Sequence, residues 1–169
     1  MKKDEIQLKN FAFIDSQNLY FGMKRLSWNL DYVRFRVYLK EKYRVEKAYM
    51  FVGFLPANDR VYSFLQEAGY ILIFKPILEI NGKIKGNCDS ELVLHTMIEY
   101  PNYEKAIIVS GDGDFYCLVK YLSEKNKLGK VLAVSNRDCS SLLKKVAGQS
   151  LSFISDLGYK LSYKKKNTP

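Results

Sequence analysis

Four aspartates in three short motifs are the residues of this chain best suited to chemistry. The motifs are, in chain order, Phe11–Asn18 with Asp15, Lys85–Asp89 with Asp89, and Ile107–Asp114 with Asp112 and Asp114. In an open parallel α/β sheet, the carboxyl ends of the strands share one edge, where ligands bind. Carboxylates gathered there repel one another, and a divalent cation that prefers oxygen ligands relieves that repulsion. The pattern therefore predicts a Mg²⁺ or Mn²⁺ site and phosphate chemistry.

The elements that must position these aspartates alternate along the chain between strand and helix. Apolar runs predict strands at 11–15, 46–54, 70–74, 105–109, 130–135 and 151–154. Helical spacing and end signals predict helices at 18–25, 31–43, 56–68, 90–100, 115–127 and 139–147. Asn81-Gly82 predicts a small hairpin between Ile80 and Ile84. This alternation indicates an α/β domain with a parallel sheet and helices on both faces.

Length and charge bound the remaining organisation. With 169 residues, the chain is long enough for one full domain, which we expect over 11–158, preceded by an extension at 1–10 and followed by a basic tail at 159–169. The 27 Lys and Arg exceed the 18 Asp and Glu, which gives a formal charge of +9. An excess of this size favours a polyanionic partner, nucleic acid before an anionic membrane.

The sulfur and imidazole inventory excludes several kinds of site. The three cysteines are odd in number and widely spaced, so they form neither a CxxC metal pair nor a disulfide framework. Reduced thiols predict a cytoplasmic protein. No signal peptide is recognisable, and no apolar run approaches the roughly 20 residues of a membrane span. The single histidine, His95, excludes mechanisms that need two, and a structural or peripheral role is favoured for it.

Each aspartate also has an ordinary structural interpretation. Asp15, Asp89 and Asp114 all stand where a helix is expected to begin, and aspartate is a favoured N-cap. Asp112 lies between two glycines that let the backbone turn sharply toward an ion or a phosphate, so it is the better metal ligand of its motif. Asn18 follows Asp15 closely enough to orient a ligand at the same edge. Three such motifs in one domain favour a shared metal site over separate caps.

The three motifs together resemble the signature motifs of NYN domains, within the PIN-like superfamily of metal-dependent ribonucleases. The resemblance runs from about residue 10 to about residue 155, with the motifs in the family's order. It implies a PIN-like, Rossmann-like fold in which Asp15, Asp89, Asp112 and Asp114 hold Mg²⁺ or Mn²⁺ and Asn18 supports the site. The chain departs from the family pattern at Cys88, where an aliphatic residue is usual, and at His95, where many members carry an acid. It departs again at Gly148-Gln149, near an expected late aspartate.

Four further residues are candidates for contact with the substrate. Lys85 stands on a glycine-flanked loop beside Asp89, and Ser110 opens the third motif. Arg34 and Arg36 belong to a strongly basic region at 24–44, which can follow a phosphate backbone with an affinity that falls steeply with salt. For Lys85 and for the basic region, an ordinary solvated surface is an alternative. Most of the 13 Tyr and 10 Phe lie in apolar runs or at helical spacing, which favours core packing, while exposed aromatics could stack on bases.

These observations predict a divalent-metal-dependent ribonuclease that hydrolyses RNA phosphodiester bonds, with DNA as an alternative substrate. A PIN-like module that binds RNA or a protein partner without cutting is the first competing interpretation, and the departures at Cys88 and His95 motivate it. A metal-dependent phosphatase or nucleotide hydrolase is the second, although Asp15-Ser16-Gln17 lacks the second aspartate of a phosphoaspartate enzyme. No P-loop sequence is present. A regulatory partner, or a homodimer paired through an edge strand, is compatible with the sequence.

Overall fold

Six parallel strands form the central sheet of the protein. In the computed structural model, which describes residues 9–76, 78–80, 83–85 and 88–164, the strands lie in the order β3-β2-β1-β6-β7-β8. Their bounds are β1 Asn10–Asp15, β2 Val45–Phe54, β3 Ile71–Pro76, β6 Ala106–Val109, β7 Leu128–Ala133 and β8 Leu151–Phe153. A separate antiparallel pair, β4 Leu78–Ile80 and β5 Lys83–Lys85, forms the hairpin that the sequence predicts. The expected α/β class with a parallel sheet is confirmed.

Seven α-helices lie in the described residues. They are α1 Ser16–Lys24, α2 Tyr32–Tyr43, α3 Asp59–Glu67, α4 Asp89–Ile98, α5 Tyr116–Glu124, α6 Ser141–Ala147 and α7 Gly158–Leu161. Each predicted helix is present, with ends that differ by a few residues. The helix expected from Phe115 follows a short 3₁₀ turn at Gly113–Phe115, because Asp112 caps that turn through its side chain. Residues 1–8 and the tail beyond 164 lie outside the described part of the chain.

Alternating side chains of the strands build two cores, one on each face of the sheet. On one face, Ala12 and Ile14 of β1 pack with buried side chains of α1, α2, α3 and α7. On the other face, Phe11 and Phe13 pack with buried side chains of α4, α5 and α6. Because both faces of β1 are covered, the strand reads in the sequence as a continuous apolar run, as central parallel strands do. Helices on both faces are therefore confirmed.

The order in which strands are added to the sheet changes direction at β1. Strands β2 and β3 follow β1 on one side, while β6, β7 and β8 lie on its other side. This reversal opens a crevice outside the carboxyl ends of β1 and β6, the place where open α/β sheets bind ligands. Asp15 ends β1, and the Ser110–Asp114 segment follows β6, so the first and third acidic motifs meet at this crevice.

Candidate metal centre at the sheet edge

Three carboxylates converge at the carboxyl edge of the sheet. One oxygen from each of Asp89, Asp112 and Asp114 lies within 4.8 Å of the other two. Asp89 is the first residue of α4, Asp112 caps the 3₁₀ turn after β6, and Asp114 lies within that turn. Residues up to 25 positions apart in the chain are thus brought together, although Asp89 follows the separate hairpin rather than a strand of the central sheet, and Asp15 is not one of the three. Carboxylate oxygens at this spacing suit a hard divalent cation such as Mg²⁺ or Mn²⁺.

Asp15 stands behind this trio as a buried, fully bonded carboxylate. Its Oδ1 accepts the backbone N–H of Asn18 at 3.1 Å, so it is also the N-cap of α1. Its Oδ2 accepts the hydroxyl of Ser110 at 3.0 Å. Burial raises the pKa of Asp15, these hydrogen bonds lower it, and the negative charge of Asp112 raises it again. The capping interpretation of Asp15 and its place in the acidic cluster are therefore compatible.

Ser110 joins Asp15 to the third motif. Its side chain is buried, and its hydroxyl oxygen also accepts the backbone N–H of Asp112 at 3.1 Å. The expected contact between Ser110 and substrate stays a prediction. What the structure shows is a hydroxyl engaged on both sides within the protein.

Asn18 fixes the loop that carries Asp112. Its Oδ1 accepts the backbone N–H of Gly111 at 2.9 Å, across a separation of 93 residues in sequence. The side chain thus links the first turn of α1 to the end of β6. The supporting role that the family resemblance implies for Asn18 stays a prediction, and the structure shows that its side chain holds Gly111.

The two glycines of the third motif are required by close packing. A Cβ at Gly111 would lie 2.5 Å from the carbonyl oxygen of Asp138, and one at Gly113 would lie 2.6 Å from the Ser140 hydroxyl. The segment therefore lies directly against the chain that follows β7. Within the turn, Asp112 Oδ1 accepts the backbone N–H of Asp114 at 3.0 Å, so Asp112 rather than Asp114 serves as the cap.

Burial, together with repulsion from neighbouring carboxylates, raises the pKa of Asp89. Burial is the largest cause, followed by the charges of Asp15, Asp112 and Asp114, and together they raise the pKa to about 6. Cys88 precedes Asp89 in the cap position but makes no capping hydrogen bond, so the N-cap role considered for Asp89 belongs to neither side chain. A carboxylate whose ionisation is opposed by three like charges is well prepared to bind a cation.

One cation near the cluster was missed by sequence analysis. Lys75, at the end of β3, lies 3.0 Å from Glu91 of α4, and its charge lowers the pKa of Asp89. The pairing of β3 with β2 brings it there, and no motif marks it in the sequence. Lys85 ends β5, but its side chain lies outside the described residues, so its expected phosphate contact stays a prediction.

The two arginines proposed for substrate contact lie away from the trio. Arg36 donates three hydrogen bonds, from Nε to Gly69 O at 2.9 Å, from Nη1 to Val45 O at 3.3 Å and from Nη2 to Glu46 O at 2.6 Å. Val45 begins β2, so Arg36 braces the amino edge of the sheet, opposite the aspartates. Arg34 is exposed and pairs with Asp31 at 3.4 Å, facing a groove between α2 and α7. Neither arginine contacts the acidic cluster in the described structure.

A cleft of about 750 Å³ opens beside the carboxylates. Asp15, Ser16, Gln17 and Cys88 line the end nearest the trio. Apolar side chains line the rest, among them Tyr20 and Phe21 of α1 and Phe64 of α3, and these three are about half exposed. Most aromatics of the chain are core residues, as expected, but these belong to the surface beside the site.

His95 is held among aromatic rings. Its imidazole lies 5.6 Å from the ring of Phe51 and 6.1 Å from that of Tyr49, measured between centroids. These neighbours agree with the structural or peripheral role favoured for it.

The parallel sheet, with carboxylates where its strand order reverses, has the α/β architecture of PIN-like proteins. The sequence matches the NYN domain family over residues 11–155, and the chain belongs to this family. A Vibrio parahaemolyticus protein of unknown function has a crystal structure that superposes with a TM-score of 0.77 at 26% identity, over 96% of this chain and 100% of that one. The low amplitude and bright protein LabA of Synechococcus elongatus is 26% identical in an alignment of 124 residues, with a coverage of 67% of this chain and 67% of LabA. Among the described residues, no helix is long and apolar enough to cross a membrane.

Proposed function

We propose that this NYN domain is a divalent-metal-dependent ribonuclease that hydrolyses RNA phosphodiester bonds at the carboxyl edge of its sheet. The observation that carries the proposal is the convergence of Asp89, Asp112 and Asp114 within 4.8 Å. Family membership and the charge of +9 support RNA as the substrate. DNA would meet the same carboxylates and is the alternative substrate.

The acidic residues have two roles in this proposal. Asp89, Asp112 and Asp114 would hold Mg²⁺ or Mn²⁺, since one oxygen of each lies within 4.8 Å of the other two and their like charges repel one another. A bound ion supplies Lewis acidity to a phosphoryl oxygen and lowers the pKa of a bound water. Asp15 would add its negative charge to that of the three ligands, since it already raises the pKa of Asp89.

The residues around the trio hold the geometry. Asn18 fixes Gly111, and Ser110 fixes the N–H of Asp112, so the loop that carries two of the carboxylates is tied to β1 and α1. Lys75 supplies a positive charge on the opposite flank, beside Asp89, where it favours the ionised carboxylate and attracts a phosphate. No histidine base is needed, which agrees with the placement of His95 among aromatic rings.

We also propose a cytoplasmic location, because Cys88, Cys117 and Cys139 are all free thiols. A regulatory protein partner, or a second copy paired at an edge strand, remains compatible with the proposal. β3 and β8 are the edges of the six-stranded sheet.

The first test is a calorimetric titration of metal-free protein with MnCl₂ and with MgCl₂. We expect wild type to bind the ion and Asp112→Asn to bind it at least tenfold more weakly. Glu104→Gln, which removes a carboxylate near the amino edge, should bind the ion like wild type. Absence of divalent-ion binding by the folded wild type would overturn the proposal.

A further inference from the structure

The cleft beside the acidic cluster is lined mostly by apolar and aromatic side chains. Its walls are α1 and α3, and its floor is the second half of β2, from Met50 to Gly53. Tyr20 and Phe21 of α1 are each 48% exposed, and Val61 and Phe64 of α3 are 52% and 46% exposed. Clefts lined mostly by apolar and aromatic side chains, with a few polar groups, are the usual form of ligand-binding sites.

The rings of the cleft are held in place. Tyr20 and Phe21 meet edge to face with centroids 5.4 Å apart. Behind α3, the Tyr62 hydroxyl accepts the N–H of Leu55 at 2.9 Å and donates to Gly53 O at 3.2 Å, which ties the helix to the end of β2. These contacts restrict part of both walls, which lowers the ordering cost of binding a planar ligand.

A positive charge stands at the α1 wall. The Lys24 ammonium lies 4.5 Å from the centroid of the Tyr20 ring. An aromatic face beside a cation, next to acidic groups proposed to hold metal ions, matches a chain that carries planar bases on a phosphate backbone. Asp15 and Cys88 line the same cleft, so its inner end adjoins the proposed scissile position.

We propose that this cleft is a base-binding subsite, which receives an unstacked nucleobase of a single-stranded RNA next to the bond to be cut. Tyr20 and Phe21 stack on or against the base, Phe64 closes the opposite wall, and Lys24 contacts a flanking phosphate. A base paired in a duplex would first have to be unpaired and unstacked to enter the cleft. The inference rests on the proposed function for the identity of the strand, but base binding itself requires no metal.

The test measures binding without cleavage. A short fluorescein-labelled single-stranded RNA of mixed sequence is titrated with protein in EDTA, and its fluorescence anisotropy is followed. The reference ligand is the same ribose-phosphate chain without bases. We expect the RNA to bind more tightly than the abasic chain, and Tyr20→Ala to weaken RNA binding roughly 5- to 150-fold, the range measured for a stacked base. Tyr20→Phe, which keeps the ring, should retain most of the affinity.

Tyr159→Ala is the matched control. Tyr159 is 70% exposed on α7, carries Lys160 at 5.5 Å from its ring, and does not line the cleft. We expect its RNA affinity to equal that of wild type. Equal affinities for RNA and the abasic chain, or equal losses in Tyr20→Ala and Tyr159→Ala, would overturn the base-binding subsite. Base-dependent binding by a protein that binds no divalent ion would support the subsite and overturn the nuclease, so the two failures are distinguishable.

Discussion

The Asn18 amide oxygen accepts the backbone N–H of Gly111 at 2.9 Å, and this hydrogen bond joins the first acidic motif to the third. The contact spans the crevice at the carboxyl ends of β1 and β6, where the strand order of the sheet changes direction. It fixes the start of the segment that presents Asp112 and Asp114, so the spacing of the carboxylates depends on a residue that is not itself one of the trio.

Replacing Asn18 should therefore loosen the metal centre more than the fold. We expect Asn18→Ala to weaken Mn²⁺ binding about 10- to 100-fold, the usual effect of losing a partner that orients metal ligands. Calorimetry measures the affinity, and circular dichroism checks the fold. Asn102→Ala, which removes an exposed hydrogen bond to Glu99 on the surface, is the control. Wild-type affinity in Asn18→Ala would show that Asn18 does not position the ligands.

Ser110 should matter for stability. Ser110→Ala removes the donor to Asp15 Oδ2 and the acceptor for the N–H of Asp112, both in a buried setting. We expect the free energy of unfolding to fall by about 1–3 kcal/mol. Urea denaturation measures this loss, and Ser123→Ala, at an exposed position on α5, should stay within about 0.5 kcal/mol of wild type. An unchanged midpoint for Ser110→Ala would contradict the bonding described for Ser110.

Charge relief should stabilise the metal-free protein. Asp114→Asn removes one of three converging charges, so in EDTA we expect its melting temperature to exceed that of wild type by about 1–4 °C. Adding MnCl₂ should raise the melting temperature of wild type more than that of the variant, because the variant binds the ion more weakly. Glu104→Gln, which removes a carboxylate near the amino edge, should melt like wild type in EDTA. Its melting temperature should rise with MnCl₂ as much as that of wild type. A lower melting temperature for Asp114→Asn in EDTA would mean that the carboxylates do not repel one another.

Arg36 should act on stability rather than on RNA binding. Its guanidinium serves three backbone carbonyls at the amino edge, so Arg36→Ala should lower the free energy of unfolding by about 1–3 kcal/mol. Arg34→Ala, two residues away at an exposed ion pair, should cost under about 1 kcal/mol. Urea denaturation and the salt dependence of RNA affinity separate the two roles. A stable Arg36→Ala variant with weakened RNA binding would restore the substrate contact first expected for Arg36.

The three thiols should differ in reactivity. Burial raises the pKa of Cys139 and raises that of Cys88 to about 11, whereas Cys117 is exposed on α5. Because the thiolate is the nucleophile, we expect Ellman's reagent to modify Cys117 first in native protein at pH 8. A raised thiol pKa in the fold favours the folded state below the unfolded pKa near 9 and is a growing penalty above it. Reaction of all three cysteines at one rate in native protein would contradict the burial.

Sequence patterns predicted the sheet and its acidic edge because both depend on local signals. An apolar run that ends in aspartate can be recognised as a buried strand from a few neighbouring residues. Parallel topology then brings the ends of such strands together. The roles of Asn18, Ser110 and Arg36 depend instead on hydrogen bonds to residues far away in the chain, which no local spacing encodes. The cleft was not predicted for the same reason. Tyr20 and Phe64 look like core residues until α1 and α3 are placed on either side of β2.

The measurement that tests the central claim most directly is cleavage of a mixed single-stranded RNA by pure protein with Mn²⁺, with Mg²⁺ and with EDTA. Wild type should cut the RNA with either ion and leave it intact in EDTA. Asp112→Asn, compared at equal concentration and shown to be folded, should not cut under any of the three conditions, and Glu104→Gln should cut like wild type. Cleavage that persists in EDTA or in Asp112→Asn, or no cleavage by a folded wild type that binds Mn²⁺, would contradict the assignment of these carboxylates to RNA hydrolysis.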